Sequence, residues 1–262
     1  IQMFEKSSLR TRLSFYLSIK QLGGEALTLK PNELHLKKGE ESLSDTAKIL
    51  STFGNAFMLR TDSDAKLNEF KKYLNIPIIN GLSPSSHPTQ VLSDVFTIEE
   101  IKKKPISKLK ICWMGDGNNN VINSLIAASV KFSFSLSIGC PKKYEPNKNV
   151  LEWVKNNKRK IKVFNDPKNA AKHADVIFTD KVISMNDKVN KLKKIKDFKN
   201  FKVNSKIMRL AKKDAIFLHC LPRGSEVSND VFLGKQSKVW QQALNRVYVQ
   251  KSILLYCFNK LR

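Results

Sequence analysis

Short apolar runs alternate with amphipathic stretches along the chain. Residues 1–4 read as the end of a strand, and residues 10–22, with Leu13, Phe15, Leu17, Ile19 and Leu22, fit a helix expected to have a broad buried face. A short strand is expected at 25–29, then a polar loop and a helix from Ser42 through Leu50. A strand at 56–59 ends in Arg60, a helix covers 64–73, and a strand at 76–79 ends where Gly81 breaks the chain. Pro88 suits the first turn of a helix running to about Glu100. Lys102-Lys103-Lys104-Pro105 then marks a boundary by charge and proline. Beyond it lie strands at 111–114, 176–178 and 215–218, a helix at 121–131 and an amphipathic helix from Ala243 through Cys257. Strands alternating with helices through short loops predict parallel sheets covered by helices, an α/β fold with two doubly wound domains joined by helices. The domains are placed at 1–100 and 101–240, with a carboxy-terminal helix at 241–262 packing back on the first.

The length of 262 residues fits two modest α/β domains. No apolar run is long enough to cross a bilayer, and no basic segment followed by an apolar core opens the chain, so no membrane association is expected. Cys112, Cys140, Cys220 and Cys257 are scattered, without CxxC or Cys/His metal spacing; a reducing, cytoplasmic setting and no metal follow as expectations. The net charge of +24 invites a nucleic-acid reading. Yet the lysines are spread over nearly the whole chain, aromatics are not interleaved with them, and no nucleic-acid motif accompanies them. The charge is read as solvated surface giving weak, salt-sensitive polyanion binding and no specific nucleic-acid partner. Residues 188–202, dense in lysine, are expected to form a solvated helix or loop.

Ligands of parallel sheets gather at the carboxyl ends of the strands, and the candidate chemistry falls there. After the first strand come Ser7, Ser8, Arg10, Thr11 and Arg12 at the mouth of a helix, whose unpaired N–H groups and partial positive charge suit a phosphate. Arginine is rare in this lysine-rich chain, and its planar fork matches phosphate oxygens. His87 and Gln90 share one face of a helix mouth. Alone they read as a cap and a surface residue; together an imidazole could donate to a carbonyl oxygen and an amide oxygen could accept from an NH2 group. The turn at 115–120 carries two glycines without the full dinucleotide spacing, and an unusual run of three asparagines. Asp180 and Cys220 each end a strand; alone, the first reads as a loop or cap residue and the second as a small buried hydrophobe.

Taken in order, these pieces resemble the carbamoyltransferase family, and within it the ornithine-type group. Ser-Ser-Leu-Arg-Thr-Arg at 7–12 resembles the family's Ser-Thr-Arg-Thr-Arg phosphate loop with Leu9 in place of the first Thr. His-Pro-Thr-Gln at 87–90 resembles its His-Pro-x-Gln. Gly-Asp-Gly-Asn-Asn with Asn123-Ser124, Pro-Lys-Lys-Tyr-Glu-Pro at 141–146 and His-Cys-Leu-Pro at 219–222 resemble the ornithine group. Thr179-Asp180 with Ser184-Met185 resembles the group's amino-acid loop, departing at Val182 and Asn186, where the group has Trp and Gly. Asn245-Arg246 resembles the family's Glu-Asn-Arg helix, with Leu244 in place of Glu.

The resemblance implies that carbamoyl phosphate and L-ornithine become citrulline and phosphate in an arginine-biosynthetic step, without a cofactor, in a homotrimer. It implies that Ser8, Leu9, Arg10, Thr11, Arg60 and His87 hold the phosphate and carbonyl oxygen, and that Gln90, Cys220, Leu221 and Arg246 fix the carbamoyl nitrogen. Asn120, with Asn119 as its alternate, Asp180, Ser184 and Met185 would hold ornithine. Arg10, Arg60, His87, Asp180 and Cys220 would carry the catalysis. The resemblance also implies that the family's amino-terminal helix is not included in this sequence. Two other readings stay open at this stage: a carbamoyltransferase for another amine, such as aspartate or an acylated ornithine, and a non-catalytic, polyanion-binding relic of the fold.

Overall fold

The computed structural model describes residues 1–34, 41–183 and 190–259. The chain divides into two compact units, Ile1–Thr89 with Ala243–Arg262, and Gln90–Gln242.

The first unit holds β1 (Gln2–Phe4), α1 (Leu9–Gln21), β2 (Thr28–Leu29), α2 (Leu43–Phe53), β3 (Phe57–Arg60), α3 (Asp64–Tyr73) and β4 (Ile78–Leu82). Its four strands are parallel, in the order β2-β1-β3-β4. Strand periodicity sorts β3 to both faces. Phe57 and Leu59 join Met3, Ala47, Leu50 and Phe70 on the side of α2 and α3, while Met58 joins Phe15, Ile79 and Leu254 on the other. Of the buried α1 face expected from sequence, Phe15 is buried but Leu13, Leu17 and Leu22 are exposed, Leu13 and Leu17 because positions two apart point to opposite sides of a helix. Ser8, Ser42 and Ser63 each cap a helix by accepting from an N–H three residues on, which is why these three helices start where they do. The strand expected at 76–79 instead runs through Gly81 to Leu82. A side chain at Gly81 would collide with the Met58 sulfur, so this glycine permits a close approach rather than ending the strand.

Two helices run from one unit into the other, α4 (Pro88–Lys102) early and α11 (Val239–Cys257) late. The second starts four residues before the expected Ala243, at the buried Val239.

The second unit adds β5 (Lys110–Met114), α5 (Asn120–Lys131), β6 (Ser135–Gly139), α6 (Lys148–Asn156), β7 (Lys162–Phe164), α7 (Pro167–Ala171), β8 (Val176–Asp180), α8 (Lys191–Asp197), α9 (Ser205–Met208), β9 (Ile216–Cys220) and α10 (Asn229–Phe232). Its five parallel strands lie in the order β7-β6-β5-β8-β9. On β5, Ile111 and Trp113 face α4 and α5, and Cys112 and Met114 face α7 and α9. Trp113 meets Phe178 edge-on at 5.4 Å between ring centroids. Each fully buried aromatic of this kind stabilises the core by roughly 2–3 kcal/mol.

Both sheets reverse their winding beside the first strand. In the first unit the chain moves from β1 to β2 on one side, then returns to β3 on the other. In the second it moves from β5 outward to β7, then returns to β8. The crevices at these reversals, outside the strand carboxyl ends, are where doubly wound sheets receive ligands. They lie between the loops after β1 and β3, and between the loops after β5 and β8. Among the described residues no helix is long and apolar enough to cross a membrane.

Candidate active site

In the first unit the reversal brings cations together. Ser8 caps α1 and accepts from the Thr11 N–H at 3.3 Å, which holds the first-turn N–H groups in place. Arg10 is half-buried beside them, and the Leu9 side chain is exposed. Arg60 ends β3 and is buried. Arg246 reaches from α11 and donates from Nη2 to Thr11 Oγ1 at 2.7 Å, both residues being buried. His87, also buried, has Nδ1 3.4 Å from Thr89 Oγ1. Burial first, and then the guanidiniums of Arg246, Arg60 and Arg10, hold its pKa well below the ordinary imidazole value. Sequence left the charge of this imidazole open; burial beside three guanidiniums favours the neutral form, which donates one N–H without adding a fourth positive charge. The pocket concentrates three guanidiniums, hydroxyls and helix N–H groups around a neutral donor, a combination suited to a phosphate bearing a carbonyl group.

In the second unit the loop after β5 is a tight box. Asp116 Oδ1 accepts from the Asn118 N–H at 2.9 Å, and Trp113 Nε1 donates to the Asp116 carbonyl at 3.0 Å. The Gly117 N–H donates to the Tyr144 carbonyl at 2.8 Å; a Cβ on Gly117 would lie 2.6 Å from that oxygen and 3.0 Å from Pro146 Cδ. The motifs at 115–120 and 141–146 are thus two sides of one packed turn, and only glycine fits between them.

Asp116 Oδ2 pairs with Lys194 Nζ at 2.6 Å, both side chains being buried. Lys194 Nζ also stands 5.5 Å over the Tyr144 ring, whose hydroxyl donates to Asp197 at 3.0 Å. This corrects the reading of 188–202 as a solvated segment: α8 exposes most of its lysines but buries this one. The lysine-rich pattern gave no signal for it, because every face of so short a helix carries a cation.

The three asparagines separate by role. Asn118 is exposed. Asn119 caps α5, its Oδ1 accepting from the N–H groups of Val121 at 2.9 Å and Ile122 at 3.0 Å. Fixing that oxygen leaves Nδ2 as an oriented donor at the carboxyl edge of the sheet. Asn120 is the first helical residue, and its carbonyl accepts from Ser124.

Asp180 and Cys220 are Cα partners at the ends of the adjacent parallel strands β8 and β9, so both side chains sit at one edge on one face. Both are half-buried, as is Leu221. Cys112 and Cys140 are buried in the core, and burial pushes their thiols up to about 12. Ser184 and Met185 lie outside the described residues.

Two buried carboxyl residues, Glu226 and Asp94, escaped sequence reasoning. His219 Nε2 lies 2.9 Å from Glu226 Oε1, and Glu226 also accepts from the Gly224 N–H. Burial pushes this carboxyl upward, but the hydrogen bonds from His219 and Gly224 outweigh it and hold the pKa below its ordinary value. Gln90, expected as a ligand, is buried and hydrogen-bonded to Asp94 at 2.8 Å. No motif flagged Asp94 or Glu226; the one faint signal was a carboxylate one helical turn after Gln90.

Two family models match the chain. A model described as "Aspartate/ornithine carbamoyltransferase, carbamoyl-P binding domain" matches residues 1–100, and one described as "Aspartate/ornithine carbamoyltransferase, Asp/Orn binding domain" matches residues 107–257. The ornithine carbamoyltransferase of Caldicellulosiruptor saccharolyticus is 43% identical over 99% of this chain and 85% of its own. That of Methanococcus vannielii is 44% identical over 97% of this chain and 85% of its own. Among solved structures, the ornithine carbamoyltransferase from Pyrococcus furiosus superposes with a TM-score of 0.91 at 39% identity, over 100% of this chain and 84% of that one. The chain belongs to the aspartate/ornithine carbamoyltransferase family.

Proposed function

We propose that this chain transfers the carbamoyl group of carbamoyl phosphate to the δ-amine of L-ornithine, giving L-citrulline and phosphate. The observation that carries the reading is the gathering of Arg10, Arg60 and Arg246 around a buried, neutral His87 at the reversal of the first sheet. Ser8, the Leu9 N–H, Arg10, Thr11 and Arg60 hold the phosphate. His87, with Thr11 and Arg60, donates to the carbonyl oxygen. Gln90, the backbone at Cys220 and Leu221, and Arg246 fix the carbamoyl end. In the amino-acid half Asn119 is favoured over Asn120, because its oxygen is engaged by the helix N–H groups and its NH2 is turned outward toward a carboxylate. Asp180 and Cys220 orient the amine, while Ser184 and Met185 enter through the family resemblance alone.

The chemistry is an addition and an elimination. The neutral δ-amine attacks the carbonyl carbon, negative charge builds on the carbonyl oxygen, the bond from that carbon to the bridging phosphate oxygen breaks, and the departing phosphate takes the amine proton. Cations and N–H donors already aimed at both oxygens stabilise that charge, and holding two substrates in line supplies much of the remaining rate. A step in arginine biosynthesis, in the cytoplasm, is part of the proposal. So is a homotrimer, which enters through the family resemblance alone.

Purified protein supplied with carbamoyl phosphate and, side by side, ornithine, aspartate or acetylornithine tests the reading. Citrulline formation far faster than carbamoylation of the other two amines is expected; preferred carbamoylation of either of them overturns it. An ordered cationic pocket tells against a relic that merely binds polyanions.

A further inference from the structure

Gln90 can recognise a carbamoyl NH2 group only if its amide presents oxygen rather than nitrogen. An amide has two orientations that differ little in shape, so something must choose. Gln90 Nε2 donates to Asp94 Oδ1 at 2.8 Å, one helical turn along α4. Gln242 Nε2, from the first turns of α11, donates to the same oxygen at 2.7 Å. Gln242 Oε1 in turn accepts from the His219 backbone N–H at 3.0 Å. Gln90, Asp94, Gln242 and His219 are all buried, so water does not compete for these groups.

Every link has a fixed polarity. A backbone N–H only donates, so Gln242 must turn its oxygen to His219 and its NH2 to Asp94. That same Asp94 oxygen accepts from Gln90, so Gln90 must also turn its NH2 to Asp94. The remaining Gln90 oxygen is thereby committed as an acceptor.

Building on the proposed carbamoyl transfer, we propose that Asp94, seconded by Gln242, is a positioning residue that sets the orientation of the Gln90 amide and so makes the site select carbamoyl phosphate over acetyl phosphate. The two ligands have the same phosphate and carbonyl and differ only in NH2 against CH3. The phosphate-holding residues cannot tell them apart; a committed acceptor can.

The test compares affinity for carbamoyl phosphate and acetyl phosphate in the unaltered chain, Asp94→Asn and Asp94→Leu, using KM and Ki in the ornithine assay and cold calorimetry for direct binding. Losing one oriented hydrogen bond should weaken carbamoyl phosphate about tenfold in Asp94→Leu, with acetyl phosphate changed less than about twofold. Asp94→Asn keeps an oxygen where both amides donate and should hold the ratio within about threefold of the unaltered chain. Both ligands are read in one preparation, so a reduced folded fraction cancels from the ratio. If Asp94→Leu does not fold, Asp94→Ala is read the same way, since a water in the space can donate or accept and sets no polarity. A ratio unchanged in the apolar variant, or lost equally in Asp94→Asn, overturns the inference. Absence of citrulline formation by the unaltered chain would instead overturn the carbamoyl-transfer reading, and the calorimetric ratio would still decide the role of Asp94.

Discussion

Replacing Lys194 by Met leaves Asp116 as a buried carboxylate with its cation gone. The Asn118 N–H at 2.9 Å remains, but the ammonium that stood at 2.6 Å does not. Breaking a buried ion pair from one side costs about 3–5 kcal/mol, because the surviving charge stays desolvated. For chains of this size, each kcal/mol moves the midpoint by roughly 2–4 °C. Lys194→Met should therefore lower the thermal midpoint of the second unit by about 10 °C, followed by circular dichroism. Asp116→Asn alone should also destabilise, since it strands the ammonium. The double variant should recover most of the loss, as an apolar and amide pair carries no buried charge, giving a coupling of about 2 kcal/mol or more in the cycle. The coupling should persist at high salt, because Debye screening acts weakly on a buried pair. A midpoint shift under about 2 °C for Lys194→Met, or additive single and double variants, would refute the reasoning. Because Asp116 shapes the turn that carries Asn119, the single variants should also raise the KM for ornithine more than that for carbamoyl phosphate.

Asn119→Asp keeps the helix cap but sets a carboxylate against that of ornithine, so KM for ornithine should rise more than tenfold with an unchanged melting point, whereas Asn120→Ala should move it little. His87 has a folded pKa below its unfolded value; the unfolded chain takes up the extra proton, so this contribution to stability is present above about pH 6.5 and lost as pH falls below it, which denaturant titrations at stepped pH will show. Gly117→Ala should destabilise by about 1–3 kcal/mol through its clash with the Tyr144 carbonyl and Pro146, measured by urea unfolding. Leu9→Thr, at an exposed position, should lower the KM for carbamoyl phosphate about threefold by returning a hydroxyl; an unchanged or higher KM tells against that role.

The alternation of apolar runs was enough to place most of the strands, because strands buried on both faces leave little ambiguity of period. The proposed site stands out in the sequence where a rare residue type follows a strand: Arg10, Arg60 and His87 break a lysine-rich background. Identical neighbours were not legible. Nothing in a run of three asparagines says which one caps the helix, and the outcome depends on where the first hydrogen-bonded turn closes. Groups held by distant partners were equally silent. Asp94 looks like any helical acid until Gln242 arrives from another helix, and Lys194 looks like its solvated neighbours until Asp116 meets it. Gly81 read as a breaker, because its real constraint, the Met58 side chain, belongs to a neighbouring strand.

The hydrogen bond from Arg246 to Thr11 joins residues 235 positions apart. A ribosome finishes the phosphate loop early and reaches Arg246 only after residues 90–242 of the second unit have been made. The cradle for the charged donor therefore closes last. A nascent chain cannot offer carbamoyl phosphate the proposed cradle before the stretch bearing Arg246 has been made.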